Sequence, residues 1–360
     1  MIALFPLAAQ PLPPTPAPLL PSGATVATWE QQIRPRLLDT WTRALGRFQP
    51  SFWQRLRYIP SNRQFREIRR EEFPAYTRIE LELPVERDFA SPHLLLIPRN
   101  RPAGARLPAV VAWTSTTPDW REPEKSWGSW LAERGYVVLT GWSFIRGYRD
   151  GANFNTGVHE RLYERFGHWA PLARMVYDAS REAEFLARLP YVDPARIGFM
   201  GFSLSAKSAL YIAAFSRPFA AVVSIDPFIP LNPLPEGGQS NYKSTWYLDW
   251  DHPVGQTTTG GLLAGHDHHE LLALAAPRPL LVIGGSGDTP FGRAHSDGRA
   301  SAAWANRARE VYGLYNAPER LAFLPTADGH HANGPVIDAA WRRFLLRWLP
   351  AREDRSQGRR

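Results

Sequence analysis

The chain has 360 residues, a formal charge of +8 and no cysteine. Its apolar and aromatic content, 44% and 12%, can fill a large core and excludes a disordered or fibrous protein. The absence of cysteine excludes disulfides, thiolate metal sites and a cysteine nucleophile, and the mostly arginine cations form no basic run interleaved with aromatics, so no nucleic-acid partner is expected.

Residues 1–9 are apolar and small, but they lack a basic n-region and are short for an h-region. They read either as the remnant of a signal peptide starting upstream, which would place the protein outside the cell or in the periplasm, or as a cytoplasmic N-terminus. Residues 10–21 are proline-rich and expected to be extended, so 1–22 is set apart as signal remnant or linker. A helical arm, polar with scattered aromatics such as Trp41, Phe48 and Trp53, is expected over 23–74, packed against the outside of the main domain. No stretch approaches the ~20 apolar residues of a membrane span, so no membrane partner is expected.

An α/β domain is expected over 75–350. Segments 77–83 and 93–97 read as antiparallel edge strands. Strands and helices then alternate, which implies a mostly parallel sheet flanked by helices. Segment 107–114 reads as a strand, 127–135 as a helix closed by Gly135, and 136–140 as a strand. A helix is expected over 171–189, where Leu172, Met175, Val176, Ala179, Ala183 and Leu186 share one face and Pro190 ends it. Strand 196–201, helix 204–215 and strand 219–225 follow. Periodicity then vanishes, and 227–268 reads as an insertion rich in Pro, Gly, Trp and Tyr, a lid or binding loop. Strands resume at 279–284 and 321–324. Helix 336–349 closes the domain, and 351–360 is expected to be a disordered tail.

The chemistry centres on Gly201-Phe202-Ser203-Leu204-Ser205, between a strand and a helix. That context fits a nucleophile elbow, whose sharp turn raises a serine hydroxyl above the sheet. Ser205 replaces the second glycine of G-x-S-x-G; serine is small, so the elbow is expected to survive. The α/β-hydrolase order Ser…Asp…His continues with Asp288, just past strand 279–284, as the orienting acid; Asp226, after the preceding strand, is the alternative. Asp328-Gly329-His330-His331 follows the last strand and supplies the base. His330 is the choice because Gly329 lets the loop turn tightly, with His331 the alternative. The oxyanion hole is expected to combine the N–H of Leu204 with that of Ser115 or, failing it, Thr116. The run His266-Asp267-His268-His269-Glu270 could bind a divalent metal or lead into a helix; serine chemistry needs no metal, and none is expected.

The runs Tyr191-Val192-Asp193-Pro194-Ala195-Arg196-Ile197-Gly198, Gly201-Phe202-Ser203-Leu204-Ser205-Ala206-Lys207 and His269-Glu270-Leu271-Leu272-Ala273-Leu274-Ala275-Ala276-Pro277-Arg278-Pro279 resemble acetyl xylan esterases and dienelactone-hydrolase-like α/β-hydrolases. The resemblance implies cofactor-free hydrolysis of short-chain carboxylic esters, often on acylated plant polysaccharides. Glucuronoyl esterases share a related pattern, matched by Gly201, Ser203 and Lys207. Leu204 and Ala206 depart from it, which argues against glucuronoyl esterase activity. Lys207 either faces substrate or is solvated on the elbow helix. Trp250, with Trp246 and Tyr247, would suit stacking on sugar rings or on one another. A prolyl-oligopeptidase-like peptidase and a non-catalytic binding protein on the same fold are the rival readings.

Overall fold

The computed structural model describes residues 15–61, 64–115, 119–141, 158–231, 242, 247–248, 259–285, 298–326 and 334–351. Its strands are β1 (Arg66–Glu72), β2 (Tyr76–Glu86), β3 (Phe89–Pro98), β4 (Leu107–Trp113), β5 (Val137–Gly141), β6 (Val192–Phe202), β7 (Ala221–Ile225), β8 (Leu280–Gly285) and β9 (Leu321–Thr326). They form a nine-stranded sheet ordered β1-β2-β3-β5-β4-β6-β7-β8-β9. β1, β2, β3 and β5 pair antiparallel in succession, and the remaining pairs are parallel.

The apolar runs that read as strands become the middle of this sheet because both faces are covered. Every residue of β4, β5 and β7 is buried, as parallel strands between helical layers must be. Side chains alternate between two cores. Ala109, Val111 and Trp113 of β4 join Trp29, Trp41, Ala179, Leu210, Leu272 and Val311 on one face. Val110 and Ala112 join Leu131, Val138, Val223, Ile283, Trp341 and Leu345 on the other. The first face carries the helices Pro171–Ala187, Leu204–Phe215, His269–Leu274 and Gly298–Leu314; the second carries Ser129–Glu133 and Pro335–Trp348.

Three readings change. The segment expected to be helical throughout ends in a strand: β1 pairs with β2 from Arg66↔Glu82 to Glu72↔Thr77, so β1 and not β2 is the sheet edge. Its sequence has no apolar face. It is held by its ladder and by ion pairs across it, Arg66 with Glu82 and Arg78 with Glu71, and such a charged edge also resists pairing with another chain. The helical stretch expected from 127 starts earlier, at Glu124. The helices Val158–Phe166 and Gly298–Leu314 were not anticipated.

Candidate active site

In sequence order the sheet grows from β4 to β5 on one side and then to β6 on the other. In doubly wound sheets the crevice beyond the carboxyl ends of strands at such a reversal is where ligands bind. Trp113 of β4 lies in register with Gly201 of β6, Phe202 with Ile225 of β7, and Ile225 with Ile283 of β8. Thr114, Ser115, Ser203 and Asp226 therefore leave the sheet side by side at that edge.

Ser203 stands between β6 and the helix Leu204–Phe215 with φ 52° and ψ −106°. Its N–H donates to the Ile225 carbonyl at 2.8 Å, and its carbonyl accepts from the Lys207 N–H at 3.1 Å in the first helical turn. The turn is tight enough to dictate the glycine before it: a Cβ on Gly201 would lie 2.3 Å from the Ser205 carbonyl oxygen and 2.6 Å from its carbon. Leu204 opens the helix, where first-turn N–H groups lack intrahelical acceptors, and negative charge is favoured by the helix dipole. Across the crevice Ser115 is buried, and its hydroxyl has no hydrogen-bond partner among the described residues. The Ser205 hydroxyl donates to the Thr114 carbonyl.

Asp226 is buried, adopts φ 62° and donates its N–H to the Ile283 carbonyl at 2.7 Å. Asp226 thus stands at the end of β7, beside the turn that carries Ser203. Asp288, His330, His331, Thr116, Trp246 and Trp250 lie outside the described residues. β8 and β9 pair in parallel up to Gly285 and Thr326, so the chain leaves the sheet at this same edge shortly before Asp288 and before His330.

Lys207, one turn after Ser203, is not the solvated lysine that one reading allowed. It is 1% exposed, with its ammonium 5.5 Å from the Tyr242 ring centre and 5.9 Å from that of Tyr247, a cation–π setting that replaces lost hydration. The two tyrosines also pack on each other at 5.6 Å.

The His266–Glu270 run is tied into the protein. Asp267 accepts from the Leu231 N–H at 2.8 Å, the His268 N–H at 2.6 Å and the Trp304 indole at 2.8 Å. Glu270 accepts from the Trp41 indole at 2.7 Å and pairs with His266 at 2.9 Å, a bond that raises the His266 pKa. His268 has Nδ1 against the Ile229 carbonyl, which can only accept, so Nδ1 carries the proton and Nε2 accepts from the Tyr211 hydroxyl at 2.7 Å. Burial pushes the His268 pKa down to about 4, consistent with that neutral form. Among the described residues no three His, Asp or Glu side chains are placed to share a metal ion. The run instead binds the start of the insertion to the arm and to the elbow helix.

A second buried polar network escaped sequence reasoning. The Trp113 indole, at the end of β4, donates to Glu182 at 2.7 Å, and Glu182 also pairs with His93 at 3.0 Å. Arg174 binds Asp178 at 2.9 Å and Glu86 at 2.6 Å. These partners are dispersed along the chain, and no local pattern marks them. A cleft lined by Leu83, Val85, His93, Glu182 and Phe185 adjoins this network and contains no residue of the elbow.

The sequence profile of the dienelactone hydrolase family matches residues 99–345. Two fungal polyketide transferases are similar in sequence. One, of Penicillium crustosum, is 43% identical over 67 residues, 18% of this chain and 22% of its own length. The other, of Stachybotrys chlorohalonatus, is 26% identical over 249 residues, 69% of this chain and 67% of its own. The match thus spans about a fifth of the first relative and two thirds of the second. A glucuronoyl esterase from Teredinibacter turnerae has a TM-score of 0.64 at 19% identity, over 92% of this chain and 89% of its own. A proposed acetyl xylan esterase from Bacteroides fragilis has a TM-score of 0.60 at 14% identity, over 95% and 88%. At these identities the likeness to solved structures is one of fold, the α/β-hydrolase fold. The profile match runs from just past β3 into the last helix, well over half of the chain, and the chain belongs to the dienelactone hydrolase family.

Proposed function

We propose that the protein is a serine carboxylic ester hydrolase that removes short acyl groups, acetyl foremost, from a carbohydrate. The observation that carries this reading is the backbone of Ser203, φ 52° and ψ −106° at a strand-to-helix turn. A non-glycine residue held there costs roughly 1–3 kcal/mol, and such strain concentrates at functional sites. A capping serine at an ordinary turn has no need of it; an elbow nucleophile does. Family membership supports hydrolase chemistry, and the fold likeness to polysaccharide-directed esterases supports a carbohydrate ester.

In this reading Ser203 Oγ attacks the ester carbonyl while His330 takes its proton, oriented by Asp288 with Asp226 the alternative acid. The Leu204 and Ser115 N–H groups hold the developing oxyanion. Collapse breaks the C–O bond, and the proton on His330 passes to the departing alcohol. Water, deprotonated by the same imidazole, then releases the acid and restores Ser203. Lys207, on the helix one turn after Ser203, and Trp250, in the insertion, are assigned to the substrate. No cofactor enters any step. Export to the periplasm or beyond would fit a polysaccharide substrate; among the described residues no helix is long and apolar enough to cross a membrane.

The test is a panel of p-nitrophenyl acetate and octanoate, acetylated xylan and peptide amides. Acetyl esters are expected to be cleaved fastest and amides hardly at all. Ser203→Ala should lose at least ~10³-fold in kcat, and a fluorophosphonate should label Ser203 alone. A fully active Ser203→Ala protein with unchanged circular dichroism overturns the reading.

The two polyketide transferase relatives favour a second fate for the same acyl-enzyme, capture by an alcohol instead of water. Mass spectrometry of products formed with and without a polyol acceptor separates them: free acid alone means hydrolysis, a new ester means transfer.

A further inference from the structure

Ser205, which stands where the elbow pattern has glycine, makes a contact that glycine could not. It is fully buried, and its hydroxyl donates to the main-chain carbonyl of Thr114, the first residue beyond β4. The Thr114 hydroxyl in turn donates to Glu122, which also accepts from Ser126. The loop expected to supply the second oxyanion donor is thus fastened at its carbonyl to the elbow helix and at its side chain to the segment after it.

A trans peptide unit is planar, and its C=O and N–H point in opposite directions. The carbonyl of Thr114 and the N–H of Ser115 belong to one such unit. Holding the carbonyl against Ser205 therefore fixes where the Ser115 N–H points. Without that bond the unit is free to rotate, and rotation would turn a carbonyl oxygen, which repels an oxyanion, towards the place of the donor. Among the described residues the buried Ser115 hydroxyl makes no hydrogen bond of its own.

We propose that Ser205 is a positioning residue of the oxyanion hole, its hydroxyl presetting the Ser115 N–H through the Thr114 carbonyl. This rests on the serine esterase reading of Ser203. An oxyanion contact stabilises the transition state and not the bound substrate, so loss of its alignment lowers kcat and leaves KM.

The experiment compares the full chain with Ser205→Ala, Ser205→Gly and, as a control for loss of a hydroxyl from another helix, Ser180→Ala. It measures kcat and KM on p-nitrophenyl acetate and the rate of fluorophosphonate labelling, whose phosphonyl oxygen occupies the same hole. Removing one oxyanion donor outright costs ~10²–10³-fold in kcat. Misaligning one is expected to cost about 10–10²-fold in kcat and in labelling rate, with KM within about threefold and Ser180→Ala unchanged. A protein with wild-type kcat and labelling rate after Ser205→Ala overturns the proposal while the esterase reading stands. A wild-type protein that neither labels nor turns over overturns both. Should Ser205→Ala not fold, Glu122→Ala decides: freeing the same loop from its other anchor should lower kcat several-fold at constant KM, and an unchanged kcat counts against the proposal.

Discussion

The backbone of Ser203 predicts that this position is a weak point of the fold, and that glycine there gives a more stable protein than alanine. At φ 52° and ψ −106° the Cβ of alanine keeps the strain of the native serine, about 1–3 kcal/mol, and glycine removes it. Glycine gives back roughly 0.5–1 kcal/mol because its unfolded chain is freer. The balance favours Ser203→Gly over Ser203→Ala by up to ~2.5 kcal/mol, about 1 kcal/mol at mid-range. Both variants lose the hydroxyl, so whatever it contacts cancels in the comparison. Thermal unfolding followed by circular dichroism at neutral pH should place the glycine variant about 1–3 °C above the alanine variant, given the size of the chain. An alanine variant that melts above the glycine variant would refute the strain argument and with it the observation on which the elbow assignment chiefly stands.

Gly201→Ala should be worse than any change at Ser203 itself for stability. The new Cβ meets Ser205 backbone at 2.3 Å, so the first helical turn must shift, at ~1–3 kcal/mol or more and with at least ~10²-fold lower kcat, read by melting and turnover. Ser115→Ala removes a buried hydroxyl that has no partner among the described residues; stability should hold or rise by up to ~1 kcal/mol with kcat within about threefold, since the N–H remains, and a tenfold fall in kcat would mean that the hydroxyl itself touches substrate. Asp288→Ala and Asp226→Ala, made separately, should differ sharply: the acid that orients the histidine is worth ~10⁴-fold in kcat, its neighbour less than about tenfold. Burial, opposed by Arg174 and aided by Glu182 and Glu86, pushes the Asp178 carboxyl up to about 6 from an ordinary 3.8. The folded state then holds this proton more tightly than the unfolded one, so its contribution is full below about pH 4 and lost as pH rises through about 6. Asp178→Asn should flatten the fall in urea midpoint between those limits, and an unchanged slope would contradict the assignment.

What was legible in the sequence followed from local chemistry. The helix after Ser203 was bounded correctly because a tight glycine–serine turn precedes it; the central strands were found because unbroken apolar runs of that length have few other uses, though β6 starts four residues before the expected 196, at Val192. β1 was not legible. Its single apolar residue, Ile68, is 46% exposed, and what makes Arg66–Glu72 a strand is a partner strand with complementary charges. Strand propensity of that kind belongs to the pair and not to the segment. The helix Gly298–Leu314 buries Trp304, Ala308, Val311 and Tyr312 at helical spacing, but alanine gives too little contrast with its neighbours for the period to stand out. At the site, the strand–turn–helix around Ser203 was readable and its surroundings were not. The bond from Trp113 to Glu182 spans 69 residues, and the cover on Lys207 comes from two tyrosines of an aperiodic insertion.

The two glycines of the G-x-S-x-G pattern are not equivalent here, and the structure says why one is kept and the other lost. At position 201 the constraint is contact: any Cβ would stand against the backbone of Ser205, and no rotamer avoids a clash made by the first side-chain carbon. At position 205 it is only that the backbone be near Gly201; the side chain points elsewhere, to the carbonyl of Thr114. A small side chain is tolerated there provided that its polar atom is satisfied, since an unpaired buried hydroxyl would cost about 1–3 kcal/mol. Serine meets both conditions. By the same reasoning alanine at 205 fits but leaves the Thr114 carbonyl without its donor, and a larger residue would have to displace the loop that faces the nucleophile. The departure that made the motif look weaker in the sequence is thus confined to the position where the geometry permits one, and it joins the helix after Ser203 to the end of the neighbouring strand β4.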